Sequence, residues 1–191
     1  MLGVALYNRA MDNVSAQSLA VVVADHDAAW ATQFLAVEAL IRRQVGDAVT
    51  AVDHIGSTSV PGLAAKPVID VLVRVIDLDR IDARFDDAMA AVGFASRGEF
   101  AISGRRFYVR PADGQHLRTH VHLVPLWHRA AGDHLRFRDY LRVNDQLASR
   151  YGLLKRQLAQ AYPDDIDTYM SGKADLMHRI SGEARHYYAN R

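Results

Sequence analysis

The chain contains no cysteine. Disulfides and thiolate metal sites are therefore excluded, and any metal must be held by Asp, Glu, His or backbone oxygen. No apolar run approaches the roughly 20 residues of a bilayer-spanning helix, and the N-terminus lacks the charged-then-apolar layout of a secretory signal. A cytoplasmic protein with no membrane partner is the expectation. Charge of one sign is also missing: 23 Lys and Arg against 22 Asp and Glu leave a formal charge of +1. That balance gives no global pull toward nucleic acid, and the partner expected from the turn described below is a small phosphate-bearing molecule. Internal repeats and low-complexity tracts are absent. Residues 1–17 lack periodicity and read as a flexible N-terminal extension, which leaves 18–191 as one domain.

What is present is an alternation of short apolar runs and helical periods. Val21-Val22-Val23 is a short strand candidate, and Asp27 caps a helix with Trp30, Phe34, Val37, Ile41 and Val45 inward. Residues 49–55 and 67–76 read as strands, the second apolar nearly throughout and so covered on both faces. Asp79 opens a helix with Ile81, Phe85, Ala88 and Val92 inward and Gly93 at its end. Arg105–Arg110 and Thr119–Leu126 form a strand pair joined through Pro111-Ala112-Asp113-Gly114. Leu147, Tyr151, Leu154 and Leu158 mark a long helix, Pro163 breaks it, and Asp164-Asp165 start the last one. The fold class is α/β of the α+β kind: a mixed sheet flanked by helices, with helices at the C-terminal end. Trp30 and Trp127 are expected in the core.

Three groups of residues carry chemistry. Gly56-Ser57, flanked by the hydroxyls of Thr58 and Ser59, offers close backbone approach and N–H donors to a phosphate, and His54 lines the same pocket. Twelve residues later Asp70 places a charge inside an apolar strand. His120-Val121-His122 on a strand turns both imidazoles to one face, predicted to be the face of Asp70. The third group is cationic. Lys66, Arg105, Arg106 and Arg138 are expected at an anion, with Arg118 in the same set, whereas Arg142 and Lys155 read as solvated helix positions. Asp53 faces away and reads as structural.

The run from Asp53 to Val73 resembles the signature of the GrpB family, within the nucleotidyltransferase-like superfamily. Asp27-Ala28-Ala29-Trp30, Gly104-Arg105-Arg106-Phe107, His120-Val121-His122, Phe137–Arg142 and Tyr151–Lys155 resemble it in the same order, so the likeness covers about Val21 to Ile180. It implies a nucleotidyltransferase-like fold in which the Gly-Ser turn holds nucleotide phosphates and strand carboxylates hold divalent metal. Leu72 stands where the second carboxylate belongs. Asp70, His120 and His122 are then the candidate catalytic and metal-ligating set, binding Mg²⁺ or Mn²⁺, or Zn²⁺ or Fe²⁺ if the histidines ligate. Metal-dependent nucleotidyl transfer is one implied activity. A non-catalytic binding or folding-accessory module, as in the extensions of some dephospho-CoA kinases, is the other.

Overall fold

The computed structural model describes residues 20–191 apart from Arg80 and Asp82. The expected extension at 1–17 lies outside the described residues. Helix α1 (Ala29–Val45) leads into β1 (Val49–Ile55), a short helical turn (Ser57–Ser59) and β2 (Val68–Val75). Helix α2 (Ala83–Ala91), the two-residue β3 (Ala95–Ser96), β4 (Arg106–Arg110) and β5 (Arg118–Pro125) follow. Four helices end the chain: α3 (Arg129–Arg142), α4 (Asp145–Ala161), α5 (Ile166–Gly172) and α6 (Ala174–Ala189).

The strands form one mixed sheet in the order β1-β2-β5-β4-β3, parallel only between β2 and β5. Alternation sorts β2 cleanly. Ile69, Val71, Val73 and Val75, all fully buried, face α1 and α2 beside Val121, Leu123 and Tyr108. Asp70, Leu72 and Arg74 point the other way, where α3 brings Ala131 and Leu135 onto Ile55, Leu72 and Val124. A third cluster joins Val60 and Leu63, just past the turn, to Leu141, Tyr151 and Ile180 of α3, α4 and α6. The C-terminal helices are thereby anchored on the segment between β1 and β2.

Several elements differ from expectation for identifiable reasons. Val21–Val23 joins no sheet; the Val21 amide bonds the Pro163 carbonyl at 2.6 Å, and only Ala24 bridges to Ala65. Helix α2 starts at Ala83, because Asp77 caps the Asp79 amide at 2.9 Å and the chain turns there instead. Its inward face includes Met89, fully buried, while Ala88 is half-buried. The final helical stretch is divided at Lys173, with Asp165 capping α5 through the Thr168 amide at 2.9 Å. Trp127 is 72% exposed rather than in the core, whereas Trp30 is buried.

Candidate functional site

Gly56 has φ +69°, and a Cβ there would lie 2.3 Å from Oδ2 of Asp70. The glycine is needed because the Asp70 carboxylate presses on its Cα. Around it the turn is tied by its own side chains. Thr58 donates its single hydroxyl proton to the Val68 carbonyl at 2.9 Å, so it accepts from His54 Nε2 at 3.0 Å. His54 also stacks on Phe34 with ring centroids 4.8 Å apart, and burial pushes its pKa down to about 4. Both residues, expected at a phosphate, are joints of the turn, on the side packed against α1. Arg138 is likewise a brace: it donates to the His54 carbonyl at 3.0 Å and to both oxygens of Asp139 at 2.6 and 3.1 Å. Arg142 donates twice to the Ser59 carbonyl, at 3.1 and 2.7 Å, and is not merely a solvated position. Arg106 is paired with Leu123 on the sheet face opposite Asp70 and donates to the Leu78 carbonyl at 3.2 Å. Asp53, expected to face away, shares the face of Asp70 through its pairing with Leu72, and is tied there by Arg74 at 2.9 Å.

Strand pairing sets Asp70 opposite His120 and Leu72 opposite His122, so the carboxylate and both imidazoles share a face. His120 Nδ1 lies 3.1 Å from Asp70 Oδ1, and His122 Nε2 lies 4.0 Å from the same oxygen. The outer nitrogens are engaged by arginines. Arg118 donates to His120 Nε2 at 3.3 Å, and Arg105 meets His122 Nδ1 at 3.0 Å. Arginine has no acceptor, so each imidazole accepts from its guanidinium and turns an N–H toward Asp70. Burial alone would raise the Asp70 carboxyl, but the His120 and His122 N–H groups outweigh it and hold the group well below the ordinary carboxylate range. His122 is held down to about 3 by burial, with His134 and Arg105 adding to the effect against the opposing pull of Asp70. Arg105 is 1% exposed. It also grips the carbonyls of Glu99 and Phe100 and stacks 4.6 Å over Phe107, so it organises the loop that ends in β4.

A second wall of the site, invisible to the sequence reading apart from Lys66, comes from the C-terminal helices. Tyr151 of α4 packs with Val60 and Leu63, which places it just past the turn. One turn further along α4, Lys155 is 2% exposed, sits 4.4 Å from the Tyr151 ring, and has no hydrogen-bond partner for its Nζ. Burial, with Lys173 and Arg156 nearby, lowers its pKa to about 6. Lys173, at the break between α5 and α6, lies 5.0 Å from the Tyr169 ring, and Lys66 lies 5.7 Å from that same ring. Burial and the charge of Lys66 lower Lys173 to about 8, against the opposing pull of Asp70. The signal that could have found Lys155 is its spacing: Ala148, Tyr151, Lys155 and Ala159 are the buried stripe of α4.

The face is open at its centre, since a quarter (26%) of the Asp70 side chain is exposed. Two clefts of about 330 and 340 Å³ lie elsewhere, one between α4 and α6 at Arg150 and Arg179, the other at Trp30, Gln33 and Leu117. The chemistry that the face offers is anion recognition beside a hydroxyl acceptor. A metal centre of Asp70, His120 and His122 does not fit. Among the described residues no three His, Asp or Glu side chains are arranged to hold an ion, and imidazoles that present N–H groups offer a cation no lone pair.

The description of the GrpB protein family matches residues 20–183. Protein YqkA of Bacillus subtilis is 37% identical over 163 residues, which cover 85% of this chain and 46% of YqkA, so the chain spans less than half of that relative. The crystal structure of conserved protein GrpB from Enterococcus faecalis has a TM-score of 0.81 at 39% identity, covering 87% of this chain and 99% of that one. The Cid1 poly(U) polymerase with MgGTP bound has a TM-score of 0.51 at 17% identity, over 72% of this chain and 44% of its own. That likeness is one of fold, and it makes the mixed sheet with its flanking helices nucleotidyltransferase-like. No described helix is long and apolar enough to cross a membrane.

Proposed function

The chain belongs to the GrpB family, and from that premise we propose that it binds a phosphate-bearing ligand, a nucleotide by class, on the face shared by Asp70, the Gly56-Ser57 turn and Lys66, Lys155 and Lys173. The observation that carries this reading is the amine of Lys155, buried without a hydrogen-bond partner beside Lys173. Burying an unpaired ammonium costs stability, and an anion at this position offsets that cost by supplying the missing charge and acceptors. Asp70 supplies the second half of the specificity. Held ionised and partly exposed, it accepts hydrogen bonds from hydroxyl groups and repels phosphate, so it favours a ligand that presents sugar hydroxyls at one end and phosphate at the other.

Each residue then has a defined task. Lys66 and Lys173 neutralise phosphate, the Gly56-Ser57 turn receives it, and His120 and His122 keep Asp70 oriented and ionised. Arg105, Arg118, Arg138 and Arg142 fix these groups and do not touch the ligand. Leu72, in place of a second carboxylate, favours binding without turnover, which is the accessory-module reading.

Titration calorimetry with nucleoside mono-, di- and triphosphates tests the proposal. Binding is expected to weaken at least about tenfold in Lys173→Gln and to be restored in part by Lys173→Arg, as a charge-assisted contact requires. Absence of binding by every nucleotide at millimolar concentration, or full affinity in Lys173→Gln, overturns it.

A further inference from the structure

The fold likeness implies a divalent cation at Asp70, and the donor set does not fit one. We propose that Lys173, gathered with Lys66 at the Tyr169 ring, supplies the positive charge that a metal would bring, so that the phosphate is held directly by lysine and divalent cations contribute nothing to its binding. This rests on the reading of the face as a phosphate site and goes beyond it in naming what supplies the positive charge.

Three observations converge. First, Asp70 stands alone on its strand: the next side chain on its face along β2 is Leu72, fully buried under Ala131 and Leu135, so a second ligand from that strand is excluded. Second, neither histidine can be recruited cheaply. Turning the protonated nitrogen of His122 away from Asp70 would set an N–H against Arg105, which only donates, and His120 meets the same obstacle in Arg118. Third, cationic charge is already in place. Lys66 and Lys173 share the ring of Tyr169, 5.7 and 5.0 Å from its centroid, so one aromatic ring draws two like charges into the same neighbourhood. Lys155 adds a further amine, 4.4 Å from the Tyr151 ring centroid. Of the carboxylates in the described residues, only Asp70 exerts a pull on Lys173. A dication placed there would face several ammonium groups with a single carboxylate in return, an unfavourable balance at short range.

The two kinds of site respond oppositely to one substitution. Where a metal bridges carboxylate and phosphate, Asp70→Asn removes the metal and with it the anion. Where an ammonium holds the phosphate, Asp70→Asn removes a repelling charge and tightens binding.

The experiment titrates the full chain with inorganic pyrophosphate, which has no sugar hydroxyl for Asp70 to accept, in EDTA and again with manganese chloride. Comparable binding in both, an affinity at least about threefold tighter in Asp70→Asn and at least about tenfold weaker in Lys173→Gln supports the proposal. The melting temperature of each variant, read alongside, establishes that it is folded, and recovery in Lys173→Arg shows that charge rather than packing is at issue. Binding only with manganese, together with its loss in Asp70→Asn, overturns the ammonium site and leaves the nucleotide reading standing. Failure of pyrophosphate and every nucleotide to bind under either condition overturns both.

Discussion

The two faces of the sheet are cut from the same strands and have opposite characters. Toward α1 and α2, β2 and β5 present Val71, Val73, Val75, Val121 and Leu123, without one ionisable group. One residue out of step, the same strands present Asp70, His120 and His122, with Leu72 and Val124 sealed beneath α3. The first face is stabilised by burial of area. The second tolerates polar groups because each is matched: carboxylate to imidazole, imidazole to guanidinium, guanidinium to loop carbonyl. Alternation alone therefore decides which half of a strand makes the core and which makes chemistry.

The strongest way to break this contrast is to extend the polar half by one position. Leu72→Asp restores the carboxylate that the superfamily pattern expects, but it buries that group against Ile55, Val124 and Ala131. A loss above about 4 kcal/mol, or failure to fold, is expected in urea denaturation. A folded Leu72→Asp with wild-type midpoint that binds manganese would contradict the packing described.

Gly56→Val comes next, at about 3 kcal/mol, since it combines a positive φ with a Cβ against Asp70 Oδ2. Its effect is not confined to ligand binding, because Asp70 itself occupies the space. A double substitution with Asp70→Gly should recover part of the loss, and strict additivity of the two changes would refute the contact.

Acid sharpens the comparison without any cavity. His54 and His122 have folded pKa values of about 4 and about 3, below the usual 6.5. Between those limits the unfolded chain binds more protons than the folded one, so stability is present above pH 6.5 and is lost as pH falls toward 4 and then 3. Asp70, held below its ordinary range, adds a further loss under pH 3.8. His122→Leu should flatten this slope, whereas Val73→Ala on the apolar face should cost about 2 kcal/mol equally at every pH. A slope unchanged in His122→Leu would count against the buried neutral imidazole.

The smallest expected effect has the reverse sign. With a folded pKa of about 6 against 10.5, Lys155 opposes folding, most strongly below pH 6 and not at all above 10.5. Lys155→Met should stabilise the ligand-free chain by about 1–2 kcal/mol near neutrality while weakening nucleotide binding. Destabilisation instead would mean that the amine has an acceptor.

The sheet was legible because strands announce themselves by alternation and by the turns that bound them; β1, β2, β4 and β5 lie within a residue or two of where the pattern puts them. The shared face of Asp70, His120 and His122 follows from the same rule. What the residue types concealed is who answers whom. Arg138 and Arg142 look like anion ligands or solvent-facing ion pairs, yet they hold the carbonyls of His54 and Ser59, because backbone acceptors leave no mark in a sequence. Lys155 reads as solvated by type, although its spacing from Tyr151 puts it inward. Lys173 and Tyr169 reach the site only through the packing of α5 and α6, a long-range outcome that local periodicity does not encode.

The parallel pairing of β2 with β5 has a kinetic meaning as well. Asp70 and His120 are fifty residues apart in the chain, and β5 joins β2 across an intervening helix and two strands. Closing so large a loop is an entropic cost met before its contacts are gained. The hairpin of β1 and β2, with the Gly56-Ser57 turn, involves far shorter separations and can form first. Until β5 docks, Asp70 is a lone carboxylate on an edge strand, with an ordinary acidity. The depressed carboxyl pKa is therefore a clock as much as a property: followed during refolding, it marks the moment at which the centre of the sheet closes.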